Sequence, residues 1–171
     1  RSVAERPEFM VKLMAIDGAS DELSSDIREV LPIDFPVSSF DLDLEQMKLV
    51  VEELDAVATA ELRVKSGGIM QLQVTERLPA VVWRNRGMIE LLDIEGRRVA
   101  AVTSRKDRMD LPLIVGQGAD QSVQVALQIV AAAGPLEDRM RGLVRMGERR
   151  WDVVLDRDQR IMLPELQPVY A

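Results

Sequence analysis

The sequence predicts an α+β protein, a β-α-α-β-β unit followed by a mostly antiparallel β domain with one helix. Three observations carry this. Apolar residues recur at helical spacing in three short stretches, which limits the helices to three. Elsewhere apolar and polar residues alternate at strand period or run between glycine-marked turns, so most of the chain is sheet. Pro79 stands where the helix-rich pattern gives way to successive hairpins, and proline disfavours continued pairing inside a sheet.

A chain of 171 residues has room for one compact domain or two small ones. With 47% apolar and 30% charged residues it has the balance of a folded protein and enough hydrophobic material for a core. The net charge of −7, from 29 acidic and 22 basic residues, offers no basic field for phosphate backbones, so nucleic acid is not an expected partner. Cysteine and histidine are both absent, which excludes disulfides, thiolate nucleophiles, Cys/His zinc sites and every triad that uses imidazole as base. No catalytic residue, cofactor or metal is expected. No apolar run reaches the length of about eighteen residues that a membrane span requires. The chain starts at Arg1 rather than at a methionine, which suggests a processed or truncated product and leaves room for an anchor upstream.

Residues 1–7 are polar and lack periodicity, and form a leader. The dense apolar run Phe9, Met10, Val11, Leu13, Met14 and Ile16 is a first strand that ends at Asp17-Gly18. Ser20 is then a suitable N-cap, with Asp21 and Glu22 complementing the helix dipole. Leu23, Ile27, Val30 and Leu31 form one helical face until Pro32 stops it. Asp43 and Gln46 stand three apart like a capping box, and Leu44, Met47, Val50, Val51 and Leu54 face the core from a second helix. Ala58, Ala60, Leu62 and Val64 alternate with Thr59, Glu61, Arg63 and Lys65 in a strand. Ser66-Gly67-Gly68 turns the chain into a partner strand carrying Met70, Leu72 and Val74.

Beyond Pro79, Val81, Val82 and Trp83 lead to the turn Asn85-Arg86-Gly87, residues 88–93 lead to Glu95-Gly96, and residues 99–102 make a further strand. A charged loop over residues 104–110 ends at Leu111-Pro112. Val123, Leu127, Val130 and Ala131 mark the one helix, stopped by Gly134-Pro135. Strands at 140–146, 151–155 and 161–163 complete the chain, the last after the turn Asp156-Arg157-Asp158-Gln159.

Several conspicuous groups have simple structural explanations. Trp83 and Trp151 are read as core, although aromatics also anchor interfaces. Glu76-Arg77 is a solvated pair. Asp41-Leu42-Asp43 is capping chemistry and Asp156-Arg157-Asp158 turn chemistry, rather than metal or glycosidase carboxylates. Gly116-Gln117-Gly118 lacks the third glycine and the lysine of a nucleotide fingerprint and is a flexible lead into the helix.

Val74-Thr75-Glu76-Arg77-Leu78-Pro79-Ala80 with Trp83, Leu91-Leu92-Asp93 with Gly96, Leu111-Pro112-Leu113-Ile114-Val115-Gly116, Arg149-Arg150-Trp151 with Leu155, and Leu163-Pro164 together resemble the FtsQ/DivIB family of bacterial cell-division proteins. They occur in the family's order across almost the whole chain. The resemblance implies a POTRA-like domain over residues 8–79 and the family's β domain over residues 80–171. It implies a non-enzymatic divisome scaffold, held in the inner membrane at the septum by a single upstream span, with this part on the periplasmic side. Implied partners are other division proteins, notably the coiled-coil proteins FtsB and FtsL. Family members continue past the position of Leu163-Pro164 with another helix and a closing strand that the partner augments, and this chain is expected to lack both. Implied partner-binding residues are Thr59, Leu62 and Val64 on the POTRA strand tied to recruitment, and the basic pair Arg149 and Arg150, which faces an acidic partner residue. That match slides by one residue, which brings in Glu148. A POTRA chaperone module of outer-membrane assembly and a carboxylate-dependent cell-wall hydrolase are the alternatives. Against the first, such modules usually occur in series; against the second, no carboxylate pair is suggested by position.

Overall fold

The computed structural model describes residues 9–165 and 169; the leader expected over residues 1–7 lies outside the described residues. The first apolar run is not one strand but two, β1 (Met10–Val11) and β2 (Leu13–Asp17). The break falls at Lys12, whose amide donates to the Gly68 carbonyl at 2.6 Å. β1 pairs instead with β3 (Val37–Ser38), an antiparallel two-residue partner too short to show a period in the sequence.

Helix α1 (Asp21–Val30) is capped by Ser20, whose hydroxyl accepts from the Leu23 amide at 3.2 Å. Leu23, Ile27 and Leu31 are buried, while Val30, expected beside them, lies at the margin with 36% exposure. Helix α2 (Leu44–Glu52) begins where the Asp43 carboxylate accepts from the Gln46 amide at 3.1 Å, and Val51 is its fully buried residue. Strands β4 (Val57–Lys65) and β5 (Ile69–Glu76) form the expected hairpin. In the sheet order β2-β5-β4, β5 is central, parallel to β2 and antiparallel to β4. This β-α-α-β-β unit has the POTRA pattern, with Ile27, Val51, Met70 and Leu72 in its core. The alternation expected along β4 shifts at its start. A register irregularity between Val57 and Thr59 buries Val57 and Ala60 and leaves Ala58 half-buried.

After Arg77 the chain enters a second compact unit. Its strands are β6 (Val81–Asn85), β7 (Met88–Leu92), β8 (Arg98–Ala101), β9 (Leu113–Val115), β10 (Met140–Met146), β11 (Arg150–Leu155) and β12 (Arg160–Met162). They make one seven-stranded sheet in the order β12-β11-β10-β9-β6-β7-β8. Neighbours are antiparallel except at β9, which pairs parallel with β6 and with β10. β9 was not expected as a strand, since three residues cannot display a period of two. Helix α3 (Val123–Ala132) covers one sheet face over Ile114, Leu143 and Trp151. Its fully buried residues are Val123, Ala126 and Ile129; of the expected 123/127/130/131 face, Val123 is buried, Leu127 and Val130 pack half-buried against the core, and Ala131 is exposed. Eight of its ten residues are apolar, all but Gln124 and Gln128, so periodicity alone does not select a face. Val82, Leu91 and Val99 build a smaller cluster with Leu111 and Leu113.

Two glycines fix close approaches. A Cβ at Gly18 (φ +86°) would lie 2.1 Å from the Val74 carbonyl oxygen, and one at Gly96 (φ +86°) 2.0 Å from that of Asp120. Gly67 (φ +91°) meets nothing within 4 Å. Gly67→Ala is therefore expected to cost only the left-handed backbone penalty of about 1–2 kcal/mol. Gly18→Ala and Gly96→Ala are each expected to cost at least about 2 kcal/mol, because backbone must also move. Urea denaturation of the three variants checks the ranking, and a Gly67 variant as unstable as the other two contradicts it.

Candidate docking surfaces

β4 is an edge strand of the first unit's sheet. Thr59, Leu62 and Val64 all lie on it, but they do not share a face. Ala60 is buried under the helices, so Leu62 and Val64, two and four residues on, turn to the helix side, while Thr59 turns to the outer face with Glu61, Arg63 and Lys65. Leu62 packs against the core, and Val64, near the strand's end, is 40% exposed. The inward reading thus describes Leu62 better than Val64.

Arg149 and Arg150 are neighbours with different surroundings. Arg150 opens β11, and its Nε lies 3.3 Å from the carboxylate of Asp152, which is 2% exposed. Arg160 of β12 approaches the other oxygen of Asp152 at 3.0 Å. One buried carboxylate thus holds two guanidinium groups on adjacent strands, a contact that the sequence did not reveal because Asp152 and Arg160 are brought together only by the β11/β12 register. Arg149 lies in the turn between β10 and β11, exposed, and its side chain has no polar partner among the described residues. Glu148, beside it, is exposed at φ +60°. Trp151 is buried with the Arg145 guanidinium 5.2 Å from its ring centroid, and Trp83 is half-buried with Nε1 donating to the Gly116 carbonyl at 2.9 Å.

Several of the conspicuous acidic residues have structural roles. Asp43 caps α2, Asp156 pairs with Arg139 at 2.9 Å, and Asp93 accepts from the amides of Glu95 and Arg97, both at 2.9 Å, to close the β7/β8 turn. Among the described residues no three potential ligands gather as for a metal. A recess of about 220 Å3 includes Asp110. Its hydrogen bond to Arg108 holds that carboxyl below its ordinary range, which unsuits it to donate a proton at neutral pH.

The profile of the "Cell division protein FtsQ/DivIB, C-terminal" family matches residues 81–170, more than half of the chain. The chain belongs to the FtsQ/DivIB family. It is similar to the cell division protein FtsQ of Cereibacter sphaeroides, at 55% identity over 170 residues, 99% of this chain and 55% of that protein. It is similar also to FtsQ of Roseobacter litoralis, at 52% identity over 99% of this chain and 58% of that protein. The chain thus spans about half the length of these curated relatives. The extracytoplasmic domain of the division protein DivIB from Geobacillus stearothermophilus matches 56% of this chain and 85% of its own, at 14% identity and a TM-score of 0.39.

The unequal fates of the three basic residues around Asp152 have a measurable consequence. Asp152→Ala strands two half-exposed guanidinium groups and is expected to cost about 1–3 kcal/mol. Arg149→Ala, at an exposed position without a partner, is expected to stay within about 0.5 kcal/mol. Chemical denaturation reads both, and equal losses would show that Arg149 has a structural role.

Proposed function

We propose that this FtsQ/DivIB chain is the periplasmic, partner-docking part of a single-pass inner-membrane division protein, and that it performs no chemistry. The observation that carries the reading is that the sheets have open edges, two of them at β4 and β12: among the described residues no strand pairs beyond β4 in the first unit or beyond β12 in the second. An edge strand leaves backbone donors and acceptors that another chain can take by β-augmentation. The absence of histidine and cysteine from the sequence, and the structural roles of Asp43 and Asp156, support a non-enzymatic role.

The partners proposed are other septal membrane proteins, notably the coiled-coil proteins FtsB and FtsL that the family resemblance implies. The outer edge of β12 is where a further strand, and with it the coiled-coil partner, adds. Of the basic pair, Arg149 is the one available to an acidic partner residue, since Arg150 is engaged by Asp152. Thr59, Leu62 and Val64 mark the second docking edge, used in recruitment through the POTRA unit.

Titration with a peptide from the septal coiled-coil partner tests the reading. Arg149→Glu is expected to weaken binding about tenfold or more, since a like charge replaces an attraction across the interface. Arg150→Glu loses stability first. Met162→Pro removes an outward-facing β12 donor, since the β11/β12 register turns the Ile161 amide inward to Val153 and the Met162 amide outward, and weakens binding with Arg149 intact. Affinity unchanged by both Arg149→Glu and Met162→Pro would refute docking on this edge.

A further inference from the structure

We propose that Lys48 and Glu52 of α2 form a clamp across the first half of the β4 edge, leaving a docking site at Leu62 and Val64 for an extended partner segment that alternates acidic and aliphatic residues. This rests on the edge-docking reading of β4 given above.

In an antiparallel pair, residues whose backbone groups face the partner strand alternate with residues whose groups face away. The Ala60 amide donates to Glu52 Oε2 at 3.2 Å instead of to β5, so Ala60 belongs to the outward set. Leu62 and Val64 follow by alternation, through the regular register Ala60↔Val74, Leu62↔Leu72 and Val64↔Met70. Glu52 therefore fills the donor that an added strand would use first. Lys48, one turn earlier on α2, acts at the same place. Its Nζ reaches Glu61 Oε1 at 3.2 Å. Glu61 projects from the outer face while α2 covers the opposite one, so the lysine stem passes over the edge. The hydrogen bond that Lys48 donates to Glu61, together with the carboxylate's charge, raises the Lys48 pKa above the ordinary lysine value, so the ammonium stays charged throughout the neutral range.

The open half has its own chemistry. Arg63 and Lys65 stand on the outer face beside it, exposed and with no ion-pair partner among the described residues. A recess of about 200 Å3, lined by Glu61, Arg63, Gln71 and Gln73, lies on the same face. Leu62 and Val64 present aliphatic surface on the other. An incoming strand thus meets positive charge on one face and hydrocarbon on the other, which selects acidic and aliphatic residues in alternation. To pair past Leu62, its carbonyl must replace Glu52 at the Ala60 amide. Lys48, released from Glu61, then takes one of its carboxylates.

The test uses this chain as wild type, Glu52→Ala, Glu52→Gln and Lys48→Met, with amide hydrogen exchange at Ala60 and titration of a synthetic peptide alternating glutamate and valine. A peptide alternating lysine and valine is the control. Glu52→Ala is expected to speed Ala60 exchange and to tighten the acidic peptide about fivefold, the worth of one competing hydrogen bond. Glu52→Gln, whose amide oxygen still accepts, is expected to fall between, and Lys48→Met to tighten the peptide less. Unchanged Ala60 exchange in Glu52→Ala overturns the clamp. So does acidic-peptide binding equal in wild type and all three variants, although edge docking then stands. Tighter binding of the basic peptide overturns the assigned partner chemistry. If neither peptide binds any of the proteins, edge docking itself fails, and the gating with it; the Ala60 exchange rate separates that failure from a failure of the clamp geometry.

Discussion

In the second unit, pairing of backbone groups runs through a strand of three residues. β9 pairs on one side with β6 and on the other with β10, so Leu113–Val115 joins the hairpins at both ends of the sheet into one surface. Ile114, at its centre, is fully buried and stands opposite both Trp83 and Leu143. The strand ends at Gly116, with φ +112°, where a Cβ would lie 2.9 Å from the Arg145 carbonyl oxygen. Only glycine lets the chain leave the sheet there while its amide still donates to the Arg84 carbonyl at 3.0 Å and its carbonyl receives the Trp83 indole. α3 can pack over a continuous face because β9 has made that face continuous.

Closure of the centre leaves function to the margins, and charge decides what they attract. The first unit, up to Arg77, carries sixteen acidic and eight basic residues, whereas the second carries thirteen and fourteen, so the chain's negative charge resides in the POTRA-like unit. That field repels an acidic segment from most of the first unit's surface. Arg63 and Lys65 are the local exception along β4. Repulsion elsewhere sharpens a weak attraction at one edge into a preference for place, which is how charge contributes to specificity more than to affinity.

Local chemistry was legible in the sequence, and non-local geometry was not. Ser20 and Asp43 cap their helices as expected because a cap needs only residues three apart. The hairpins at Asn85-Arg86-Gly87 and Ser66-Gly67-Gly68 announced themselves through their glycines. β3 and β9 escaped because two or three residues carry no period, and they exist only through pairing with distant strands. The face of α3 was legible only in part because its apolar residues surround the axis: Val123, Leu127 and Val130 pack inward as expected, and the sheet beneath adds Ala126 and Ile129 in place of Ala131. At the docking surfaces, resemblance drew attention to Arg149 and Arg150 together. Their separation into a free cation and a bound one depends on Asp152 being buried between β11 and β12, which no local pattern encodes.

A strand edge open to a partner is open also to copies of the same chain, and the edges at β12, β8 and β4 carry different means of refusal. β12 has three residues, all exposed, with Arg160 among them, so self-pairing would gain few hydrogen bonds and bring like charges together. β8 begins at the charged Arg98, and its pairing with β7 is irregular between Leu91 and Leu92, which spoils the flat register a second copy would need. β4 is the long one, nine residues, and length makes it the most exposed to unwanted pairing. It is also the edge across which α2 extends Glu52 and Lys48. Protection of this kind is reversible, because a carboxylate and an ammonium group can exchange one partner for another, whereas a proline or a bulge cannot. The longest edge can therefore be guarded against copies and still yield to a strand of matching chemistry.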